Sequence, residues 1–145
     1  MIGAASTLAR AEQLAMIDLN VRALTDFSLA FLDSLERRKG GILNVASVAG
    51  FLPGPGMAVY YASKAYVLSF TEALAREIEP KGVRVTALCP GPVATEFQLR
   101  AGIENRKPSP FLAGTAEQVA QSGYDGFMAR KRVVIANAYF FPGYR

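Results

Sequence analysis

Tyr60 and Lys64 stand four residues apart in the stretch MAVYYASKAY, residues 57–66. On a helix that spacing puts both side chains on one face. A lysine ammonium held beside a phenol favours the phenolate and lowers the tyrosine pKa from about 10 towards neutrality. A tyrosine tuned in this way can give or take a proton near neutral pH. Ser47 precedes Tyr60 by thirteen residues, at the end of an apolar run, where its hydroxyl could donate to a carbonyl oxygen as negative charge develops on it. Asn20 is the fourth polar candidate. It interrupts the apolar pattern of the first helical segment, where an amide either serves chemistry or is satisfied by interior hydrogen bonds.

Composition narrows the alternatives. The chain has no histidine and one cysteine, Cys89, so Ser-His-Asp and Cys-His mechanisms, histidine-ligated metals, cysteine metal clusters and internal disulfides are excluded. Cys89 reads as a small buried hydrophobe at a strand end. Glu96 and Asp125 are single carboxylates, which gives a paired-carboxylate hydrolase no support. The net charge of +4 comes from scattered residues, and the clusters Arg37-Arg38-Lys39 and Arg130-Lys131-Arg132 fall where helices end, so no nucleic-acid partner is expected. No apolar run is long enough for a membrane span and no secretory signal is visible, which predicts a cytoplasmic protein.

These residues need elements to hold them. With 51% hydrophobic and 19% charged residues, the 145-residue chain reads as a single domain over 1–145. Helical spacing of Leu14, Ile17, Val21, Leu24, Phe31 and Leu35 predicts one long helix over 6–39, stopped at Gly40-Gly41. GILNVAS (41–47) reads as a strand buried on both faces, and GFLPGPG (50–56) as loop. A second helix is expected over 60–79, with Val67, Leu74 and Ile78 continuing the face of Tyr60 and Lys64. VRVTALCP (83–90) is a second buried strand. Thr115 and Gln118 form a capping-box pattern that opens a helix to about Arg130, and RVVIANAYF (132–140) is a third strand. Strands and helices in alternation predict a parallel, layered α/β sheet, which binds ligands at the carboxyl ends of its strands. The loops after NVAS and ALCP are therefore the ones to watch.

Asn20, Ser47 followed by VAG, the YYASK run and CPGPVAT after the next strand come in the order and near the spacing of one family. The chain resembles the short-chain dehydrogenases/reductases. The resemblance implies a Rossmann-like parallel sheet with about three strands and three main helices, and an NAD(P)-dependent oxidoreductase acting on a small carbonyl or alcohol. In it, Tyr60 would be the proton donor or acceptor, and Lys64 would hold the nicotinamide ribose and lower the Tyr60 pKa. Ser47 would orient the substrate oxygen and Asn20 would anchor a water in the proton relay. Residues 90–95 would contact the nicotinamide through Pro90, Gly91, Val93 and Thr95. Tyr61, at the variable position of the motif, reads as packing. The choice between NAD and NADP stays open, and so does the substrate, since the loop from Glu96 to Gly114 carries no recognisable chemistry.

Family members begin with a strand, a glycine-rich turn and a helix that receives the cofactor's pyrophosphate. No such unit is read here, and no G-x-x-x-G-x-G or G-x-G-x-x-G spacing. MIGAAST resembles the residues just after the family's N-N-A-G motif, so the chain is expected to correspond to the carboxyl-terminal catalytic portion, with one edge of the strand at 41–47 unpaired. The alternative is a non-catalytic remnant that folds and self-associates without cofactor. Ala62, Ala65, Ser69 and Ala73 line the outer side of the second helix. They either admit a partner helix closely or are simply good helix formers. The resemblance favours a homo-oligomer through the helices at 6–39 and 60–79.

Overall fold

The computed structural model describes residues 2–93 and 114–136. Three parallel strands, β1 (Gly41–Val45), β2 (Arg84–Pro90) and β3 (Val133–Ala136), lie in the order β1-β2-β3. Each junction is crossed by a helix: α4 (Ala58–Ile78) links β1 to β2, and α5 (Ala116–Met128) precedes β3. Alternate residues of β2 face opposite sides, as the pleat requires. Val85, Ala87 and Cys89 pack with Leu74, Val67 and Leu68 of α4, whereas Leu88 packs with Val119 of α5 and with Val134. A helix therefore covers each face, which is why β2 reads as a continuous apolar run.

The stripe expected on the second helix is present. Val67, Leu74 and Ile78 are buried, and α4 begins at Ala58, two residues before Tyr60. The capping box is present too. Thr115 accepts from the Gln118 amide at 3.2 Å, and Gln118 returns a bond to the Thr115 amide at 3.1 Å. Two glycines let α5 lie close on the sheet: a Cβ at Gly123 would come within 2.7 Å of Leu88, and one at Gly126 would collide with Val134.

The first helix departs from the expectation of one unbroken element over 6–39. It consists of α1 (Arg10–Ile17), a π turn over Asp18–Ala23, α2 (Leu24–Ala30) and α3 (Leu32–Arg38). It starts late because the chain before it is turned back, with the Thr7 hydroxyl bonding Ala4 O at 2.9 Å and Gln13 Nε2 bonding Ala5 O at 3.0 Å. Phe31, at φ −95 and ψ −4, separates α2 from α3. The stop is Lys39 rather than a glycine. Lys39 adopts the left-handed conformation, φ 52, and the Gly40 amide reaches back to Leu35 O at 2.9 Å, the pattern of a Schellman end.

Among the described residues β1 pairs on one side only. Its Leu43 and Val45 side chains, on the face away from α4, are 37% and 51% exposed. The open edge expected for this strand is thus present among the described residues, whereas the burial on both faces expected of it is not met, because no described element covers the side of Leu43 and Val45.

Candidate active site

The parallel register sets Val45 opposite Leu88, so two residues further on Ser47 comes beside Pro90 at the carboxyl ends of both strands. Ser47 Oγ donates to Pro90 O at 3.5 Å and accepts from the Ala49 amide at 3.1 Å, which caps a 3-10 turn over Val48–Phe51. These bonds hold a nine-tenths-buried hydroxyl at the mouth of the sheet. The loop then returns to α4, whose first turn carries Tyr60. The Tyr60 phenol hydrogen-bonds with the Ser47 side chain.

Lys64, one turn later, places Nζ 6.0 Å from the Tyr60 ring centroid and donates to Val45 O at 3.0 Å. Ser47, Tyr60 and Lys64 thus meet where the sequence puts them. The electrostatic outcome corrects the sequence expectation. Burial pushes the Tyr60 phenol above its usual 10.0, the Ser47 hydrogen bond pulls it down and neighbouring Tyr61 raises it. Burial likewise pushes Lys64 down from 10.5, with Cys89 opposing. The lysine turns its charge to the β1 carbonyl, and desolvation outweighs any help it gives the phenolate.

Asn20 lies in the π turn and its Nδ2 donates to Ser63 Oγ at 3.0 Å; Ser63 Oγ in turn donates to Tyr60 O at 2.7 Å. The asparagine therefore joins the site through the backbone of α4. Ser63 was not singled out from sequence, although a serine three residues after Tyr60 and inside an apolar stripe was the available signal. Pro90 and Gly91 sit beside Ser47, the Gly91 amide bonding Ala136 O at 3.4 Å, while Val93 forms a bridge with Gly114. Thr95, and the loop expected to select substrate, lie outside the described residues.

Tyr61 packs as expected: its ring lies against Gly54 and edge-on to Tyr60, centroids 6.0 Å apart at 79°. Gly50, Gly54 and Gly56 do have the G-x-x-x-G-x-G spacing of a pyrophosphate turn, between a strand and a helix, which corrects the reading that no such spacing occurs. The geometry opposes that role. A Cβ at Gly50 would meet Lys64 O at 2.8 Å, Gly54 is covered by Tyr61, and Pro53 and Pro55 remove two amide donors. Gly50 and Gly54 serve close packing of the loop on α4, whereas Gly56 has open space around it and supplies a positive φ of 80°.

Cys89 is buried beneath the site at 0% exposure, and burial pushes its thiol to about 12. It is therefore protonated and inert at neutral pH. Among the described residues no group of three His, Cys, Asp or Glu side chains could hold a metal, and no helix is long and apolar enough to cross a membrane.

The residues present fit the nicotinamide end of a dinucleotide. Lys64 has three ammonium donors, of which Val45 O takes one, and the Tyr60 and Ser47 hydroxyls lie beside it.

The chain belongs to the short chain dehydrogenase family, whose model matches residues 2–105. It is 45% identical over 86 residues to sulfoacetaldehyde reductase 2 of Chromohalobacter salexigens, an alignment covering 58% of this chain and 34% of that one. It is 38% identical over 99 residues to a 3-oxoacyl-[acyl-carrier-protein] reductase of Synechocystis, covering 68% and 38%. A short-chain dehydrogenase of Sphingobium yanoikuyae, solved in complex with NADPH, superposes with a TM-score of 0.83 at 30% identity over 93% of this chain and 52% of its own. The chain spans little more than a third of these curated relatives and about half of the solved structure.

Proposed function

We propose that this chain carries the acid–base site of an NAD(P)-dependent oxidoreductase that interconverts a carbonyl and an alcohol. The observation that carries the reading is the convergence of Ser47, Tyr60 and Lys64 at the carboxyl ends of β1 and β2. A bound nicotinamide would supply or accept the hydride. In the reducing direction the substrate oxygen accepts the Tyr60 proton, while Ser47 donates a hydrogen bond that stabilises the charge building on that oxygen. Lys64 offers its remaining donors to the ribose hydroxyls and returns positive charge to the phenolate that Tyr60 becomes. Asn20, its side chain held by Ser63, would anchor a water in the proton relay. Pro90, Gly91, Val93 and Thr95 would line the nicotinamide side.

The reading is supported by the relatives, two named as reductases and one solved with NADPH. Its test begins with titration of the 145-residue protein with NADH and NADPH, followed by turnover on a panel of aldehydes and ketones. Saturable binding with turnover that Tyr60→Phe abolishes, cofactor affinity being kept, is the expected result. Turnover retained in Tyr60→Phe would overturn the role of the tyrosine.

A second reading is favoured by the edge of β1 that is open among the described residues. It is a folded chain that self-associates and does not bind dinucleotide, and it predicts no saturable response to either cofactor. In both readings the outer face of α4, with the helices before it, serves self-association. Thr25 Oγ1 and Tyr66 Oη, 2.9 Å apart, tie the two together there, and Phe27 and Phe31 are stacked and exposed beside them.

A further inference from the structure

Tyr60 stands on a helix start that lacks an ordinary cap. The N-cap of α4 is Met57, whose side chain makes no capping hydrogen bond. The first amides of a helix have no partner inside it, and an uncapped first turn frays. A residue whose phenol must point at Ser47 is badly served by such a turn.

Ser63 ties that turn down in another way, through a carbonyl rather than through the orphan amides. It is 3% exposed, and its hydroxyl both accepts from Asn20 Nδ2 at 3.0 Å and donates to Tyr60 O at 2.7 Å. One oxygen thus links the backbone of the first turn to a different helix. That neighbour is itself unusual at the point of contact, since Asn20 falls in the π turn Asp18–Ala23. Such turns concentrate at functional sites because they hold a side chain where a regular helix would not.

We propose that Ser63 is a positioning residue: with Asn20 it pins the first turn of α4 and so fixes the direction of the Tyr60 phenol against Ser47. The proposal rests on the reading of Tyr60 as the proton-transfer group. Loss of the tie lets the turn open to water. Tyr60 then loses part of the burial that raises its pKa, the largest influence on it, along with the smaller lowering by Ser47, so its pKa falls.

The test reads the Tyr60 phenol directly and needs no turnover, so its failure is separable from failure of the functional reading. The protein is labelled with 3-fluorotyrosine, whose ring fluorine makes the phenol more acidic and brings its titration within reach. Fluorine NMR resolves the six tyrosines, and Tyr60→Phe identifies the signal of interest. In Ser63→Ala the Tyr60 midpoint should fall by roughly half a pH unit or more. Asn20→Ala should do the same, and the double variant should fall no further than either single one, because both break one linkage. Ser63→Thr, which keeps a hydroxyl, should restore most of the wild-type midpoint. An unmoved midpoint in Ser63→Ala, or additive shifts in the double variant, would overturn the proposal. Should Ser63→Ala fail to fold, Asn20→Ala carries the same decision, since Asn20 is only half-buried.

Discussion

Tyr60 and Cys89 share a cause with opposite uses. Burial raises both pKa values, which keeps Tyr60 protonated at neutral pH and keeps Cys89 out of chemistry altogether. With Tyr60 in the proposed role, reduction of a carbonyl would need no prior ionisation, whereas oxidation of an alcohol would need the phenolate. At saturating cofactor and substrate, alcohol oxidation should rise with pH through neutrality into the alkaline range while carbonyl reduction does not, as initial rates in both directions would reveal. The same shifts govern stability. A group whose folded pKa is raised is neutral in both states at low pH; above its unfolded pKa, only the unfolded chain ionises freely. For Cys89 that window runs from 9.0 to about 12. Lys64, pushed down, acts in the other direction, stability rising with pH between its folded value and 10.5. Cys89→Ala should cost about 1 kcal/mol at pH 7 through lost packing, yet lose less further stability than wild type on moving to pH 10.5. Urea midpoints at the two pH values decide it, and equal losses would show that Cys89 has no part in the alkaline loss.

At the scale of elements, the sequence was most legible where local pattern and tertiary demand agree. The stripe of Val67, Leu74 and Ile78, the Thr115–Gln118 box and the apolar β2 each require the element they form, and each is found. The first helix was legible in type but not in detail. Apolar spacing cannot reveal the π turn at Asp18–Ala23, where Asn20 meets Ser63 of α4, nor the break at Phe31. The convergence of Ser47, Tyr60 and Lys64 was legible for the same reason as the stripe, through fixed offsets along one strand and one helix. The direction of the Tyr60 shift was not. Spacing places a charge near the phenol, whereas burial, which wins, is a property of the packed chain. The same limit applies to Gly123 and Gly126, which in sequence look like defects in a helix. In the fold they are the contact surface of α5. Gly126→Ala should destabilise the chain by roughly 1–3 kcal/mol despite alanine's better helix propensity, because its methyl meets Val134. Adding Val134→Ala should recover part of the loss if that contact is the cause. A neutral or stabilising Gly126→Ala would mean that α5 has room to shift.

For the whole molecule, the issue is which surface another copy would use. Two differ in physics. The β1 edge offers backbone groups flanked by exposed Leu43 and Val45, and an unpaired edge joins strands without limit unless something closes it. The outer face of α4 offers small side chains at Ala62, Ser69 and Ala73, beside Leu19, Phe27 and Phe31 on the preceding helices. A helix face used by two copies about a twofold axis closes on itself and yields a defined dimer. Ala65 is a poor probe of that face, since its amide lies under Gly50 and a large side chain there would disturb the loop of the site. Ala73 is exposed and remote from Tyr60, four turns on, so a bulky residue there leaves the monomer intact. Ala73→Trp should halve the mass measured by sedimentation if α4 is the interface, with no change in the thermal unfolding of the monomer. Val45→Lys should leave that mass unchanged and suppress only concentration-dependent aggregation, since charge on an edge strand opposes strand addition. The reverse outcome, mass lost with Val45→Lys and kept with Ala73→Trp, would assign assembly to the sheet edge. The exposed side chains of β1 would then be the covered ones in solution, and the small residues of α4 would be no more than good helix formers.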